Sequence, residues 1–450
     1  MTQINSAKTK RSGLPPIVYI LLGVTCIFLV PQLWASIKPR NGRISTGNHL
    51  LIQVGATINK QQGIEAFANG DYQKAIKCFK DSLLQHPNDP ETLIYLNNAQ
   101  AMNQGFKIAV SVPIGSNLNV AQEILRGVAQ AQDEINLRSG INGQKLQVEI
   151  VNDENDPEIA QEVADQLVED SQVLAVVGHN ASNASLAAAP VYQKGGLVMV
   201  SPTSFANNLS GLGDYIFRTV STTKVMAEAL AKYTIKTAHK TKIAFCYDSQ
   251  APDNVSFKDE FLAAFITQGG QLVPTVCDLA VPNFNPAMAV EQSINNGADG
   301  LFISPHIDRL QAAINVAWAN HGRLPLFSSP TMYTIKTLEL GQQSVKGLLL
   351  PAPWHPQVNP SFAETMRQRW GGNISWRTAT AYDATQVIIA GLKQNNTRDG
   401  LQKVLRSSSF TVRGASDPIS FTPTGDRIGH PVIVQIQPRG ASYDFMMVSR

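Results

Sequence analysis

The sequence predicts an α/β protein of two doubly wound parallel-sheet lobes joined by a hinge, preceded by a transmembrane helix and a short all-α repeat segment. Three observations carry that reading. Strand-like apolar runs alternate with amphipathic helix-like runs from Phe106 onward, the same rhythm restarts at Lys242, and an uncharged apolar stretch runs from Leu14 to Ile37.

The stretch LPPIVYILLGVTCIFLVPQLWASI has the length that a bilayer requires, roughly 20 apolar residues, and exceeds the apolar part of a secretory signal, about 7–15 residues. Its LWAS end is a poor small-x-small cleavage site, so a retained anchor is expected over 14–37. Lys8, Lys10 and Arg11 before it are matched by Lys38, Arg40 and Arg43 after it, and flanking charge does not orient it. Over 56–104 the pattern is helical: two helices broken at Asn69-Gly70-Asp71, a stop and restart at His86 to Pro90, then a third helix. Ile76, Phe79 and Leu83 recur at helical spacing. The stretch resembles a tetratricopeptide repeat, with Gly63, Gly70-Asp71-Tyr72, Ala75, Phe79 and Pro87 at that family's relative spacing; Gln62 and Ala66 stand where it usually has a larger apolar or aromatic residue. One repeat and a half cannot bury a continuous core alone. The segment is therefore expected to pack on the following domain or on a partner.

The first lobe reads as FKIAVSVP, a helix with Ile124, Val128 and Ile135 on one face, KLQVEIVND, a helix with Ile159, Val163 and Leu167 four apart, QVLAVVG, a helix through Ala187, and LVMVSPT. The second reads as KIAFCYD, QLVPTVCDL, GLFISP and LPLFSSP with helices between them. Strand and helix alternating in units of about 30 residues give a parallel sheet covered on both faces. Two such copies in tandem suggest lobes facing across a cleft. The remainder, from VKGLLLPAPW onward, contains a long helix, WRTATAYDATQVIIAGLKQ, and two strands to be added to these lobes.

With 450 residues, 43% of them hydrophobic and 16% charged, the composition is that of a folded chain rather than a disordered one. The 37 basic and 34 acidic residues are dispersed, with no basic run interleaved with aromatics, which argues against nucleic acid as a partner. Cys26, Cys78, Cys246 and Cys277 form no CxxC pair and no Cys/His metal spacing. Cys246 and Cys277 read as buried free thiols, with a disulfide in an oxidising compartment as the alternative. The acidic run Asn152 to Glu158 lacks the glycine and distal glutamate of a calcium loop and reads as a solvated loop with Asp156 capping the next helix. GxxxxGK[ST], GxGxxG and HExxH are absent, so nucleotide hydrolysis, dinucleotide binding and zinc proteolysis lack support, and neither a cofactor nor an enzyme activity is expected.

The stretch GHNASNASLAAAPVY, Gly178 to Tyr192, sits after an apolar strand and before a small-residue helix. In an open parallel sheet ligands bind at that point, where helix N-termini present free backbone N–H groups. Ser182, Asn183 and Ser185 supply short polar groups there. A catalytic nucleophile would need a glycine-flanked elbow and a base, which Ser182 lacks; a plain helix cap remains the competing reading. VSPTSFANN, Val200 to Asn208, places a second set of hydroxyls in the same lobe.

From Phe106 to the C-terminus the chain resembles the type I periplasmic binding proteins of the leucine/isoleucine/valine-binding branch. The likeness rests on VPIGSNLNVAQEILRGVAQAQDEIN, GINGQKLQVEIVNDENDP, VVGHNASNASLAAAPVYQKGGLVMVSPTS, WRTATAYDAT and DPISFTPTGDR in this order. It implies a bilobed domain over 106–450, with lobe one from about 106–221 and 351–410 and lobe two from about 222–350 and 411–450. It further implies that Ser182 holds a ligand carboxylate, helped by Thr203 and Ser204 of the second loop, with Phe205 where a threonine is usual. On the other lobe, Pro252 or Asp253 and then His306 stand where the family has tyrosines, and Pro330 stands in place of the acid that pairs with the ligand ammonium. Asp248, Asp253 or Asp308 could substitute for that acid. The function implied is an extracytoplasmic solute-binding protein of an ABC-type importer, capturing an amino acid or similar small polar solute between closing lobes, with the permease as partner. The alternative is a membrane-anchored sensor or scaffold that uses the helical segment for protein docking. Either way the resemblance puts residues 1–13 in the cytoplasm and the C-terminal domain in the periplasm or outside the cell.

Overall fold

The structure, a computed structural model, describes residues 42–102, 104–415 and 418–449. The expected anchor over 14–37, residues 1–13 and Cys26 lie outside the described residues. Among the described residues no helix is long and apolar enough to cross a membrane.

Two sheets organise the chain. The first has six strands, β1 (Ile44–Ser45), β2 (Phe106–Val112), β3 (Leu146–Asn152), β4 (Val173–Val177), β5 (Val198–Ser201) and β6 (Ile216–Arg218), in the order β1-β3-β2-β4-β5-β6. Strands β2 to β6 are parallel and β1 joins β3 antiparallel. The second has seven, β7 (Lys242–Tyr247), β8 (Gln271–Val273), β9 (Gly300–Ser304), β10 (Leu326–Ser328), β11 (Leu349–Ala352), β12 (Val432–Arg439) and β13 (Ser442–Ser449), in the order β13-β12-β11-β10-β9-β7-β8. Here β7 to β11 are parallel, and β12 and β13 form an antiparallel edge. Helices cover both faces, which is why the inner strands read as unbroken apolar runs: every residue of β4's Ala175–Val177 and of β9 is buried.

The lobe boundaries differ from two of those expected. Pro351 and Ala352 belong to the second lobe, because β11 pairs with β10 on one side and with β12 on the other. The chain returns to the first lobe before the helix Trp376–Gln394, which packs along the helix Leu118–Arg138. It then stays there past residue 410. Ala415 N donates to Asp383 Oδ1 at 2.5 Å, Arg218 holds Asp426 at 2.6 Å, and Arg427 holds Asp383 at 2.7 Å. The last crossing lies between Arg427 and Val432, and the C-terminal part contributes three strands to the second sheet instead of two.

Residues 44–100 are built into the first lobe. Three helices, Ile58–Ala68, Tyr72–Gln85 and Pro90–Gln100, are capped by the side chains of Thr57, Asp71 and Asp89. Gly63 permits the first two to touch, since a Cβ there would lie 2.6 Å from the Phe79 ring. The third helix is buried almost throughout, against Leu118–Arg138 and β3. Its Asn98 closes the open edge of β3: Nδ2 donates to Val148 O at 2.7 Å and Oδ1 accepts from Val148 N at 3.0 Å. Asn136 does the same for Leu146, and β1 covers Ile150 and Val151. A strand edge that would otherwise present unpaired backbone is thereby sealed. Lys60, fully buried, pairs with Asp89 and Glu91 at 2.7 Å each, and Glu91 also accepts from the backbone N–H of Leu51.

Cys246 and Cys277 are not free thiols; they form a disulfide within the second lobe, closing a loop of 31 residues. The parallel bridge between Tyr247 and Asp278 sets them side by side. Chain-entropy arguments give a loop of this size about 3–4 kcal/mol of stabilisation. The double variant Cys246→Ala/Cys277→Ala is expected to lose about that much in urea unfolding, and the oxidised wild type should consume no thiol reagent at these positions.

Candidate functional site

A cavity of about 190 Å³ lies where the two lobes meet, at the carboxyl ends of β4 and β5 on one side and β7 and β9 on the other. Ser182, Asn183, Thr203 and Phe205 line it from the first lobe; Asp248, Asp253, His306 and Arg309 line it from the second. Trp376 and Arg377, at the start of the long helix, complete the wall.

Two helices begin at the cavity, Ser182–Gly195 and Pro252–Thr267, one from each lobe. Their N-cap residues are Ala181 and Ala251, and neither start has a side-chain cap. Elsewhere Asn117, Asp156, Thr222, Asn285, Ser375 and Thr397 cap their helices, while Leu310–Asn320, which continues a short 3-10 turn, also lacks a side-chain cap. A helix start leaves backbone N–H groups without intrahelical partners. At Ser182–Gly195 the Ala184 N–H goes to Asn183 Oδ1 at 2.9 Å, and the N–H groups of Ser182 and Asn183 have no partner among the described residues; at Pro252–Thr267, Pro252 has no N–H and the Asp253 carboxylate draws on the N–H groups of its own turn. The Ser182 hydroxyl has no hydrogen-bond partner among the described residues.

Of the residues expected from sequence, Ser204 does not reach the cavity. It is fully buried, its Oγ bonded to Ser185 Oγ at 2.5 Å and within 3.3 Å of His179 O. Thr203, whose Oγ1 donates to Asn180 O at 2.8 Å, and Phe205 flank it and do line the cavity, as alternation along an extended segment requires. The acidic loop before Pro157 is only partly solvated. Asp156 caps its helix, accepting from Glu158 and Ile159 N–H, but Asp153 is buried beneath the site, accepting from Ser111 Oγ and bonded to His179 Nδ1 at 2.6 Å. His179 in turn meets Tyr192 OH at 3.0 Å, and this chain fixes the loop that carries Ser182.

The second lobe supplies charge. Asp248 is buried and committed to Arg309, Nε to Oδ2 3.2 Å. Asp253 is half-buried in the first turn of its helix. Loss of solvation pushes its carboxyl pKa up, against the opposing charge of His306 and the N–H groups of its own turn. Burial alone would lower the His306 pKa, yet its contact with Asp308 at 3.3 Å and the charges of Asp253 and Asp248 outweigh that and raise it. The protonated imidazole therefore contributes stability that is fully present below about pH 6.5 and is lost as pH rises through the raised folded value. His306→Gln is expected to destabilise the protein at pH 5.5 and to converge on the wild type at high pH, which urea titrations across that range would show. Arg377 is buried, with its guanidinium 3.4 Å from Glu123 and stacked over the Trp376 ring at 4.6 Å. Trp376 and Arg377 open the quoted stretch WRTATAYDAT, but an indole and a guanidinium at a helix start read equally as packing.

A profile described as periplasmic binding protein matches residues 105–441. The chain belongs to the periplasmic binding protein family. Over 342 residues this binding protein is 24% identical to the Leu/Ile/Val-binding protein of Escherichia coli strain K12, covering 73% of this chain and 90% of that one. Among solved structures, an ABC transporter substrate-binding protein from Sphaerobacter thermophilus superposes with a TM-score of 0.68 at 18% identity, covering 77% of this chain and 98% of that one. A leucine-binding protein from Thermotoga maritima gives 0.67 at 20% identity, covering 76% and 97%. The family is of the type I, Leu/Ile/Val-binding kind, with a solute-binding role, and this binding protein is not an enzyme.

Proposed function

We propose that this binding protein captures an amino acid or similar small zwitterionic solute outside the cytoplasmic membrane and presents it to an ABC-type importer. The observation that carries the reading is the pair of uncapped helix N-termini meeting at one cavity, with a free serine hydroxyl on one and a carboxylate on the other. The solute's carboxylate sits on Ser182 and the adjoining N–H groups, where the helix dipole favours negative charge, with Asn183 and Thr203 beside it. Its ammonium sits on Asp253, because Asp248 is taken by Arg309. Asp253 thus takes the place of the acid missing at Pro330. The volume suits the assignment, since a cavity of about 150 Å³ holds a benzene-sized molecule. Relatives are named for leucine, isoleucine and valine; the Asp248–Arg309 pair and His306 in this wall favour a more polar side chain.

A solute touching both lobes stabilises the closed arrangement by its differential affinity for it. The disulfide supports an oxidising compartment such as the periplasm, and the stretch Leu14–Ile37 would tether the domain to the membrane. The sensor or scaffold alternative draws on the helical segment, which moves with lobe one because Asn98 and its helix are buried in that lobe. A thermal-shift screen of the protein against amino acids, short peptides, ureas and amides, and small carboxylates tests the proposal. A ligand at about 100 times its Kd adds about 2.7 kcal/mol. No shift across the panel would sink solute capture and favour the sensor or scaffold.

A further inference from the structure

Behind the cleft, beyond Trp376, the lobes form a second, solvent-open cavity of about 680 Å³. Trp376 is the one residue shared by the two linings, and it is pinned as a partition: its Nε1 donates to Tyr333 O of the second lobe at 3.2 Å. Walls come from both lobes, from the helix Leu118–Arg138 on one side and from the helix Ile335–Gly341 and the β12–β13 hairpin on the other.

The charges lining this cavity are paired, with one exception. Glu123 is held by Arg377, and Arg439 by Asp444 at 2.5 Å. His355 is neutral in character, with burial depressing its pKa and its Nε2 directed to Phe445 O at 3.0 Å. Arg126 is the exception. Its Nε donates to Asn88 Oδ1 at 2.7 Å, which leaves the two terminal amino groups of a half-buried guanidinium with no partner among the described residues. The carboxylates whose charge it feels, Glu123 and Asp89, are engaged by Arg377 and Lys60. Leu338, Ile374, Trp376 and Phe445 give the wall apolar surface, beside neutral polar side chains such as Asn119, Gln357, Asn373 and Gln437. A guanidinium offers a planar fork that matches a carboxylate bidentately.

We propose that this cavity is a second binding site, for a small amphipathic monocarboxylate such as an aryl or branched-alkyl acid. The carboxylate binds Arg126 and the apolar body packs against Leu338, Ile374 and Phe445. Because both lobes form the walls, occupancy is linked to the same lobe equilibrium that the cleft ligand uses. Asn88, on the turn between the second and third helices of the N-terminal segment, orients the guanidinium, so that segment is part of the site.

The test is a ligand-observed NMR titration of the full chain with benzoate, phenylacetate and 4-methylpentanoate, and with their amides. The acids should bind at least about tenfold more tightly than the amides, as a charge-assisted pair requires. Arg126→Gln should weaken the acids by about tenfold or more, Leu338→Trp should block them sterically, and Ser182→Ala should leave them unchanged; melting curves confirm that each variant folds. If Arg126→Gln does not fold, the acid–amide ratio and Leu338→Trp decide. The proposal is overturned if no acid binds by about 10 mM, if acids and amides bind alike, or if Ser182→Ala abolishes binding and so places the acids in the cleft.

Discussion

Deleting residues 43–105 is expected to leave a chain that no longer melts cooperatively. The deletion removes the third N-terminal helix, whose Leu93, Ile94, Tyr95 and Ala99 are 2% exposed or less, and uncovers the faces of Leu118–Arg138 and β3 on which it packs. Large apolar side chains contribute roughly 1.5–3 kcal/mol each when fully buried, and a domain's net stability is only about 5–15 kcal/mol. The Val148 N–H and C=O lose their partner at the same time. Asn98→Leu reproduces that last effect, and also releases Thr46 O and Gln132 Nε2, which Asn98 holds at 2.8 and 2.9 Å. Each orphaned backbone group costs about 1–3 kcal/mol, so the two at Val148 alone give an expected loss of about 2–6 kcal/mol in urea unfolding. A truncated chain that melts as sharply and as high as the intact one would show the helical segment to be an independent attachment.

Asp253→Asn is expected to separate binding from stability. With its carboxylate gone, the ligand ammonium is buried without a counter-charge, a loss of about 2–5 kcal/mol or roughly 30- to 5,000-fold in Kd. The ligand-free protein should become more stable. Its folded pKa lies above the ordinary 3.8, so the folded state holds the proton more tightly than the unfolded one, and stability falls as pH rises from about 3.8 through the folded value. Above that value the cost persists in the wild type and is absent in the variant. Calorimetric titration together with melting curves at pH 7 and pH 3 would show both effects. Unchanged affinity with a less stable protein would make Asp253 a structural helix-start acid instead.

Much of this architecture is legible in the sequence because parallel strands covered on both faces are written as short apolar runs, and KIAFCYD or QVLAVVG admit few other readings. The late crossings are less legible. Leu349–Ala352 is assigned to a lobe by pairing with β12, some 80 residues on, and the return of Asp426 to Arg218 spans more than 200. Nothing local records either. For the candidate cavity, the sequence points to loops that line it but not to which side chains face it. Thr203, Ser204 and Phe205 look alike as candidates until the backbone decides which two face the cavity. Asn98 reads as a polar residue on a helix, and only its meeting with β3 makes it a strand-edge cap. Cys246 and Cys277 carry no spacing signal, since the bridge depends on Tyr247 and Asp278 lying in register. Only the structure sets Ala181 and Ala251, which have no side chain able to cap, at two helix starts that meet at one cavity.

The claim at the centre is that the uncapped helix start at Ser182 receives the solute's carboxylate. The most direct test is calorimetric titration of wild type and Ser182→Ala with the ligand that the thermal-shift screen identifies, beside the same ligand with its carboxylate amidated. The account predicts that Ser182→Ala costs about 1.5–3 kcal/mol, the worth of a hydrogen bond to a charged group, and that amidation removes most of the affinity in the wild type. Equal binding of the acid and its amide, with Ser182→Ala unchanged, would contradict it.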